Sequence, residues 1–255
     1  MLQNNNAYPL KESSILIDKD GFSFCSLTQQ HHFKFPNGEV TQETIQTWLN
    51  YHTIAPKHCT LVYFDHPAML VPDPIFDKEK KESYFQAAVA TDFSQYAIGH
   101  QALQNNDQHL LYPVRKDIQH CFTQLLPHAK SAHGIEVLLP ILNEETKGKA
   151  RKQLFVHLRK GAFELFLFQG SQLLLQNSFP QNNEDEFLYY LFYVVEQFYL
   201  QPEHFDLVFL GQYTPYRTYY QAVEKFHPSI STIGSAFAHE ADGHPAPFFQ
   251  SLLTP

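Results

Sequence analysis

Four side chains of the types that bind zinc lie within the six residues 239–244, near the end of the printed chain. They are His239, Glu240, Asp242 and His244. A helical zinc-hydrolase motif needs two histidines four positions apart, so that both face one metal ion. Here the histidines are five positions apart, and Gly243 interrupts the segment. A metal-dependent hydrolase that uses His239 and His244 is therefore one alternative, but the spacing favours a polar surface loop and no bound metal.

The three cysteines give no sign of a catalytic thiol or of a disulfide framework. Cys25, Cys59 and Cys121 are odd in number, widely separated, and each surrounded by apolar residues. A reactive thiolate needs a cationic or helix-N-terminal setting, whereas cysteines in apolar sequence are typically buried thiols. The sequence also contains neither a Gly-x-Ser-x-Gly elbow nor a Walker-type phosphate loop. We therefore expect the cysteines to pack in the core and no catalytic residue of these kinds.

The composition limits the class of partner and the location of the protein. The chain has 255 residues, of which 44% are hydrophobic and only 17% charged, and its formal net charge is −8. This charge repels a phosphate backbone, so nucleic acid is a poor candidate partner. No apolar run approaches the ~20 residues of a membrane span, and the first residues lack the basic and apolar regions of an export signal. We expect a globular cytoplasmic protein without a membrane span.

The elements that would position a site begin with a three-stranded meander. Alternating apolar residues predict strands at 14–18, 22–27, 32–35 and 60–64, with a helix between the last two. The turn Asp18-Lys19-Asp20-Gly21 is a strong hairpin signal, because glycine adopts a positive φ without steric cost. Thr41 is placed to cap the helix. The first unit therefore has the order βββαβ.

The same order of elements returns after residue 150. The pattern predicts strands at 153–158, 163–168, 172–176 and 206–210, with a long helix that Asn183 caps before the last of them. Leu207-Val208-Phe209 mirrors Leu61-Val62-Tyr63 in the last strand of the first unit. Further patterns predict a helix at 216–226, a strand at 230–233 and a short helix at 245–253. We interpret the two units as a duplication.

The segment between the two units predicts a mixed connection. Prolines at 67, 72 and 74 indicate an irregular or edge strand, and Asp77 is placed to cap a charged helix. A short strand at 110–112 and helices at 115–126 and 135–142 follow. The charged stretch 144–149 stands beside a change of pattern. It therefore predicts a boundary between subdomains 1–148 and 149–255.

Two βββαβ units, each continued by further α/β elements, resemble the actin-like ATPase superfamily, which includes sugar kinases, Hsp70 chaperones and acetate kinases. The nearer likeness is to PilM and the GspL cytoplasmic domain of pilus assembly and secretion. The opening hairpin, with Ser14-Ile15-Leu16-Ile17 and then Asp20-Gly21-Phe22-Ser23-Phe24-Cys25, is similar to a bacterial domain-of-unknown-function family, number 3822, which is assigned an actin-like fold. The resemblance implies a duplicated actin-like, ribonuclease H-like α/β fold over nearly the whole chain, and it implies no activity.

In active members of that superfamily, the first hairpin of each half turns over the nucleotide phosphates. It carries Asp and then Gly with Thr or Ser, so that backbone N–H groups approach an anion closely. The resemblance therefore implies a vestigial nucleotide cleft at Asp18, Asp20, Gly21, Lys160, Gly161 and Gly211.

The motifs of this cleft depart from the active pattern. Phe22 follows the first turn where a small hydroxyl residue is expected, and Phe163 follows the second turn. Arg159 and Lys160 stand where the second turn would carry a metal-organising acid, and the loop at Gly211 has a single glycine. Bulky side chains at both turns would hinder a phosphate. We therefore predict no nucleotide or other cofactor.

Tyrosines crowd the second half of the chain, at positions 189, 190, 193, 213, 216, 219 and 220. Amphipathic aromatic residues are favoured at protein interfaces. One interpretation places about half of them simply in the core, and the other assigns some of them to a surface that contacts an unknown protein partner. The sequence thus predicts a binding or scaffold module that is not an enzyme. The alternative is an ATPase or small-molecule kinase that uses Asp18, Asp20 and Lys160 in a divergent cleft.

Overall fold

The computed structural model describes residues 13–19, 21–26, 30–35, 41–51, 59–88, 94–103, 107–210, 216–227 and 229–233. The first half follows the order β1 (Ser13–Asp18), β2 (Gly21–Ser26), β3 (Gln30–Lys34), α1 (Gln42–Tyr51), β4 (Cys59–Tyr63), β5 (Met69–Pro72), α2 (Lys81–Ala88), β6 (Tyr96–Leu103), β7 (Gln108–Arg115), α3 (Lys116–Leu125), β8 (Lys130–His133) and α4 (Gly134–Thr146). The second half follows the order β9 (Lys152–Arg159), β10 (Ala162–Gln169), β11 (Gln172–Pro180), α5 (Glu184–Gln197), β12 (Phe205–Leu210), α6 (Arg217–Glu224) and β13 (Ile230–Ile233). The helix expected at 245–253 lies outside the described residues.

The two halves contain five-stranded sheets of the same topology. Their strand orders are β3-β2-β1-β4-β8 and β11-β10-β9-β12-β13. In each sheet the first three strands are antiparallel, and the central strand pairs in parallel with the strand that follows the helix. Each half is thus a βββαβ unit with one further parallel strand. The predicted duplication and the α/β fold class are confirmed.

The first hairpins of the two halves also share their register. Asp18 pairs with Gly21, and Arg159 pairs with Ala162, so each turn has two residues. The predicted match between Leu61-Val62-Tyr63 and Leu207-Val208-Phe209 holds for the strands, since β4 and β12 are equivalent. When the hairpins are aligned, however, Leu61 corresponds to Phe209, because these residues pair with the equivalent Ile15 and Val156. The predicted match was wrong by two positions, a shift that leaves every side chain on the same face of the sheet.

A third sheet, of order β5-β7-β6, occurs in the first half. The edge position of β5 agrees with its proline, Pro72, but β6 and β8 were missed, and β7 is longer than predicted. Strand β6 contains Gly99, which pairs with Tyr112 in β7. A Cβ atom on Gly99 would lie 2.5 Å from the Tyr112 ring, so the ring occupies the place of a side chain. No apolar alternation marks β6. Its pairing with β7, rather than its own sequence, therefore explains why the segment forms a strand.

The local signals at helix starts were read correctly. Thr41 Oγ1 accepts the backbone N–H of Thr44 ahead of α1, and Asn183 Oδ1 accepts that of Glu186 at the start of α5. Asp77 caps a short 3₁₀ turn that leads into α2. None of the helices in the described ranges is long and apolar enough to span a membrane.

The second sheet has two faces with different neighbours. On one face the apolar residues of β9, β10 and β12 pack against α5 and α6, in a core that includes Phe163, Phe187 and Tyr220. The residues at alternate positions, such as Phe155, Phe166 and Val208, belong instead to the core of the first half. Side chains alternate between the faces of a strand. The second face is therefore where the two halves meet, and we call this contact region the seam.

Candidate functional site at the seam

The alternation of β9 and β10 places three polar side chains on the seam face. His157 and Arg159 are two positions apart on β9, and Glu164 on β10 pairs directly with His157. Arg159 Nε donates to Glu164 Oε1 at 2.6 Å, and His157 Nδ1 lies 3.1 Å from Glu164 Oε2. All three side chains are at most 2% exposed. We call these three residues the seam triad.

The charges of the seam triad support one another. Burial acts to raise the pKa of Glu164, but the charge of Arg159 and the hydrogen bond from His157 outweigh it and hold that pKa below its usual value. Burial likewise acts to lower the pKa of Arg159, and the carboxylates of Glu164, Asp18 and Asp65 outweigh it. Both shifts favour the ionised pair, because the pKa of Glu164 is lowered and that of Arg159 is raised.

The first half contributes an aromatic ring and two acids to the same place. The Phe64 ring stacks on the His157 ring, with centroids 5.1 Å apart and planes 9° apart. The guanidinium carbon of Arg159 lies 5.3 Å from the centroid of the Phe64 ring, within the range of a cation–π contact. Asp18 and Asp65 are both buried. The seam triad is thus enclosed by residues of the other half.

Phe64 itself is held by the start of α4. A Cβ atom on Gly134 would lie 2.5 Å from the Phe64 ring, so only glycine allows the ring to lie there. His133 precedes this glycine and caps the helix, because its Nδ1 accepts the N–H of Ile135 at 3.2 Å. With Nδ1 as an acceptor, the ring proton of the neutral imidazole is on Nε2, which lies 3.4 Å from the carbonyl oxygen of His66.

Two groups at this helix start have strongly shifted pKa values. Burial lowers the pKa of His133 to about 4. Burial raises the pKa of Glu136 to about 7, although its carboxylate accepts the backbone N–H of His133. The first-half side of the seam therefore contains two groups with pKa values of about 4 and about 7, whereas on the other side the pKa of Glu164 is lowered and that of Arg159 is raised.

The structure describes four of the six predicted cleft residues. Asp18 ends β1, and its carboxylate accepts the N–H of Lys19 at 2.7 Å. Gly161 has φ +74°, and a Cβ atom on it would lie 3.9 Å from Nζ of Lys19, so the two hairpin turns face each other. Lys160 is exposed beside it. Asp20 and Gly211 lie outside the described residues, as do His239 and His244.

Gly21 has a structural explanation within the sheet. A Cβ atom on it would lie only 2.1 Å from the carbonyl oxygen of Phe33 on β3. The glycine is therefore needed for the close approach of two strands. This contact explains the residue without any bound anion.

The steric part of the cleft prediction was wrong. Phe22 is buried on the helix-covered face, with its ring 4.6 Å from Trp48. Phe163 packs equivalently, with its ring 4.8 Å from that of Phe187. Each phenylalanine follows the residue that closes its turn, so the alternation of the strand directs it away from the face of Asp18 and Arg159. Neither side chain obstructs the facing turns.

The sequence analysis noted Arg159 only because it stands where an acid was expected. It did not identify the partners of this arginine. A signal was present, since His157, Arg159 and Glu164 are polar residues at alternate positions of otherwise apolar strands. Polar groups that alternate within a buried strand need partners on one face. What could not be read from the sequence is that this face meets the other half.

Within the part of the chain that the structure describes, the cysteines and the possible metal ligands form no second site of the kinds considered from the sequence. Cys25, Cys59 and Cys121 are buried, as expected, and burial raises the pKa of Cys59 to about 11. A thiol with so high a pKa is a poor nucleophile. Among the residues that the structure describes, no three His, Cys, Asp or Glu side chains are grouped closely enough to hold a metal ion.

Two solved structures resemble the whole chain. A Bacteroides thetaiotaomicron protein with an actin-like ATPase fold and unknown function matches with a TM-score of 0.79 and 18% identity, over 100% of both chains. The PilM–PilN type IV pilus biogenesis complex matches with a TM-score of 0.57 and 11% identity, over 97% of this chain and 100% of the other. At these identities the likeness shows the actin-like fold and no more.

A more distant likeness joins the chain to a secretion protein. The cytoplasmic domain of EpsL, an inner membrane component of the type II secretion system of Vibrio cholerae, matches with a TM-score of 0.44 and 9% identity, over 95% of this chain and 98% of the other. That score is too low to carry an argument.

Comparison of the sequence itself gives a family. No curated protein matches the sequence. A family model described as "Protein of unknown function (DUF3822)" matches residues 3–230, which is most of the chain. The chain therefore belongs to the DUF3822 family, and its fold is that of the actin-like ATPases.

Proposed function

We propose that this protein is a cytoplasmic binding or scaffold module, built from two actin-like subdomains, 1–148 and 149–255, whose seam does not take a nucleotide. The observation that carries the proposal is Arg159. By hairpin register it is the counterpart of Asp18, so the second turn presents a cation where the first presents an acid. The vestigial cleft residues would then have structural roles.

Electrostatics favour an empty seam over a Mg-nucleotide site. A metal bound to Asp18 would approach the guanidinium of Arg159, and two cations repel strongly in a buried place. Arg159 is already neutralised by Glu164 at 2.6 Å, so a phosphate would have to compete with a buried ion pair. Breaking such a pair costs about 3–5 kcal/mol. A nucleotide must offset that cost before it binds.

The surface that we assign to partner binding lies on α5. Tyr189 and Tyr193 are one helical turn apart, are 65% and 48% exposed, and stack with ring centroids 6.5 Å apart. Asp185 and Glu196 are exposed just before and just after them on the helix. We call these four residues the tyrosine face. Of the other tyrosines of this half, Tyr220 is buried in the core, whereas Tyr199, after the end of α5, is 88% exposed.

The charge of this region indicates the chemistry of the partner. Residues 184–203 contain five acidic side chains and no lysine or arginine. Arginine and lysine bind to the faces of tyrosine rings and to carboxylates. The occupant we propose is therefore a polypeptide with basic residues beside apolar ones. That the similar PilM structure was solved as a complex with PilN supports a role of this fold in protein assembly.

The alternative is an ATPase or small-molecule kinase that uses Asp18, Asp20 and Lys160. The observation in its favour is that the two turns face each other across the seam, with Asp18 buried at the first turn. A thermal unfolding experiment with millimolar Mg-ATP separates the two functions. A ligand at 100 times its Kd stabilises the native state by about 2.7 kcal/mol. For a chain of this size that is a rise in Tm of roughly 5–10 °C.

We expect Mg-ATP to leave the Tm of the wild type unchanged. A Mg-dependent rise that disappears in Asp18→Ala and in Lys160→Ala would establish the enzyme alternative instead. Because the experiment measures binding and not turnover, it also detects a site that has lost only its catalytic step.

Partner binding is tested by affinity capture from the native cell with three proteins. These are the wild type, a Tyr189→Ser/Tyr193→Ser variant, and the control Tyr51→Ser, which alters a still more exposed tyrosine on α1. We expect specific proteins to be lost in the double variant and retained in the control. Each must then bind the purified chain in a salt-sensitive manner and lose affinity with Asp185→Lys. Equal capture by all three proteins would refute the tyrosine face.

A further inference from the structure

Three buried carboxylates attract the charge of Arg159, and one of them, Glu164, pairs with it at 2.6 Å. Glu164 belongs to the second half, whereas Asp18 and Asp65 belong to the first. Arg159 and Asp18 are each 2% exposed, Asp65 is 6% exposed and Glu164 is fully buried. Each of the three carboxylates interacts favourably with the guanidinium. We call these four residues the seam ion cluster.

The charges of the cluster are distributed unevenly between the two halves. In the second half, Glu164 and Arg159 form a neutral pair across the β9–β10 hairpin. The first half brings two acids, and a buried carboxylate is unfavourable unless an opposite charge compensates it. The cation that the second half carries therefore lowers the cost of burying Asp18 and Asp65 when the two halves are packed together.

The hydrogen bonds leave part of Arg159 available for this purpose. Its Nε is used within the hairpin, whereas Nη2 is buried and makes no hydrogen bond to any described residue. On the other side of the seam, Oδ2 of Asp65 lies 2.9 Å from Nδ1 of His66. Oδ1 of Asp65 is buried and has no hydrogen-bond partner in the described part of the chain. Each half thus has a buried polar atom at the seam that makes no hydrogen bond to a described residue.

Phe64 gives the arrangement a fixed geometry. Its ring belongs to the first half but contacts His157 and Arg159 of the second. The ring lies so close to the backbone of Gly134 at the start of α4 that a Cβ atom on this residue would overlap it. An aromatic wall behind a guanidinium limits the directions in which the cation can attract an acid.

We propose that Arg159 is a lock between the two halves: it is the counter-ion that the second half supplies to Asp18 and Asp65 of the first, and it holds the seam in one closed arrangement. A domain pair that opens and closes around a ligand must expose and rebury the surface between its parts. The lock opposes that motion. This inference goes beyond partner binding at the tyrosine face and does not depend on it.

The competing explanation is a local one. Arg159 would only stabilise the hairpin of β9 and β10 through Glu164. The acids of the first half would then make no energetic contribution through Arg159. The two explanations differ in whether Arg159 is energetically coupled to Asp18, which lies on the other side of the seam.

A double-mutant cycle on the full chain measures this coupling. Urea unfolding of the wild type, Asp18→Asn, Arg159→Met and the double variant gives four unfolding equilibrium constants. In the wild type Asp18→Asn removes an attraction to Arg159, whereas in the Arg159→Met background it removes a repulsion from Glu164. We expect the effect of Asp18→Asn to shift towards stabilisation by about tenfold between the two backgrounds, as for charges that belong to one ion network. Effects that agree within about twofold would overturn the lock.

A second cycle covers the case in which Arg159→Met does not fold. The same four proteins are made with Glu164→Gln in each, which removes the buried charge that Arg159→Met would leave uncompensated. The expected shift keeps its sign, because the attraction between Asp18 and Arg159 is still what differs between the two backgrounds. Asp206→Asn serves as the control, since this exposed acid pairs with Arg151. A background-dependent effect of Asp206→Asn as large as that of Asp18→Asn would also overturn the lock.

Discussion

The β1–β2 and β9–β10 hairpins have the same backbone register but carry different side chains on the seam face. The equivalent pairs are Leu16 and His157, Asp18 and Arg159, and Ser23 and Glu164. On the helix-covered face the two hairpins agree, because Phe22 and Phe163 are equivalent and both are fully buried. The duplicated fold therefore conserves its packing on one face and differs in charge on the other.

This difference shows where the fold tolerates new chemistry. A strand position facing the helices must keep its size and apolar character, since cores are closely packed. A seam position is constrained only by what the other half places opposite it. Ser23 needs a single partner, His32, whose Nδ1 is 3.1 Å away. Glu164 at the equivalent position needs both His157 and Arg159, so a change of charge in the second hairpin had to involve several residues together.

The largest expected effect comes from neutralising one member of the ion pair. We expect Glu164→Gln to lower the free energy of unfolding by about 3–5 kcal/mol, because it leaves a buried guanidinium without its nearest counter-ion. The equivalent change in the first hairpin, Ser23→Ala, should cost only about 1 kcal/mol, the typical value for one neutral hydrogen bond. Urea unfolding at pH 7 measures both. Equal losses would contradict the view that the two seam faces differ.

A double variant sharpens the same comparison. Arg159→Met with Glu164→Leu replaces the buried pair by apolar groups, and such replacements are often neutral or stabilising. We expect the double variant to be more stable than either single variant. If it were the least stable of the three, hydrogen bonds to other groups rather than the ion pair would dominate this site.

The sequence predicted the elements whose signals lie in neighbouring residues. It did not predict features that depend on contacts with distant parts of the chain. Turn residues, the caps at Thr41 and Asn183 and the apolar stripes identified both βββαβ units, because these depend on neighbours in the chain. Strand β6 was missed, since Gly99 is explained by the ring of Tyr112 across the strand pair. The effect of Phe22 was misjudged for a related reason. Its proximity to the turn in sequence said nothing about which face of the sheet it occupies.

The next expected effect concerns pH and distinguishes the two sides of the seam. The pKa of His133 is about 4 in the folded chain and its usual value is 6.5, so the unfolded chain gains a proton first as the pH falls. The folded state thus loses stability between pH 6.5 and pH 4, by about 3 kcal/mol in total. We expect His133→Asn, which can still cap α4, to lack this loss. Urea unfolding at pH 4, 5, 6 and 7 compares it with the wild type.

Glu136 acts in the opposite direction. Its pKa is raised to about 7 from 4.5, so its ionisation opposes folding, and the stability that it contributes below pH 4.5 is lost as the pH rises to 7. Glu136→Gln should therefore steepen the loss of stability on acidification, because only the His133 effect remains. A variant whose pH profile equals that of the wild type would show that the Glu136 carboxyl is not buried in solution.

A smaller effect compares the two turn glycines. In Gly21→Ala the new Cβ atom would overlap the Phe33 carbonyl oxygen of β3, and we expect a cost of about 2–3 kcal/mol from displaced backbone. In Gly161→Ala there is room, but φ is +74°, so we expect a cost of about 1 kcal/mol from the left-handed conformation alone. Ala162→Gly, at the position equivalent to Gly21, serves as the control, with a cost of about 0.5–1 kcal/mol. Thermal unfolding measures all three, and a larger cost at Gly161 than at Gly21 would contradict these assignments.

The smallest effect is expected at the two lysines of the turns. Lys19 and Lys160 occupy equivalent positions by register, and both are exposed. Substitutions at exposed positions usually change stability by less than about 0.5 kcal/mol. We therefore expect Lys19→Ala and Lys160→Ala to unfold at nearly the same urea concentration as the wild type, since the charge that matters at the seam is Arg159. A loss of more than about 1.5 kcal/mol in Lys160→Ala would place this lysine among the groups that hold the halves together. The difference between the hairpins would then extend from the buried seam face to the exposed turn.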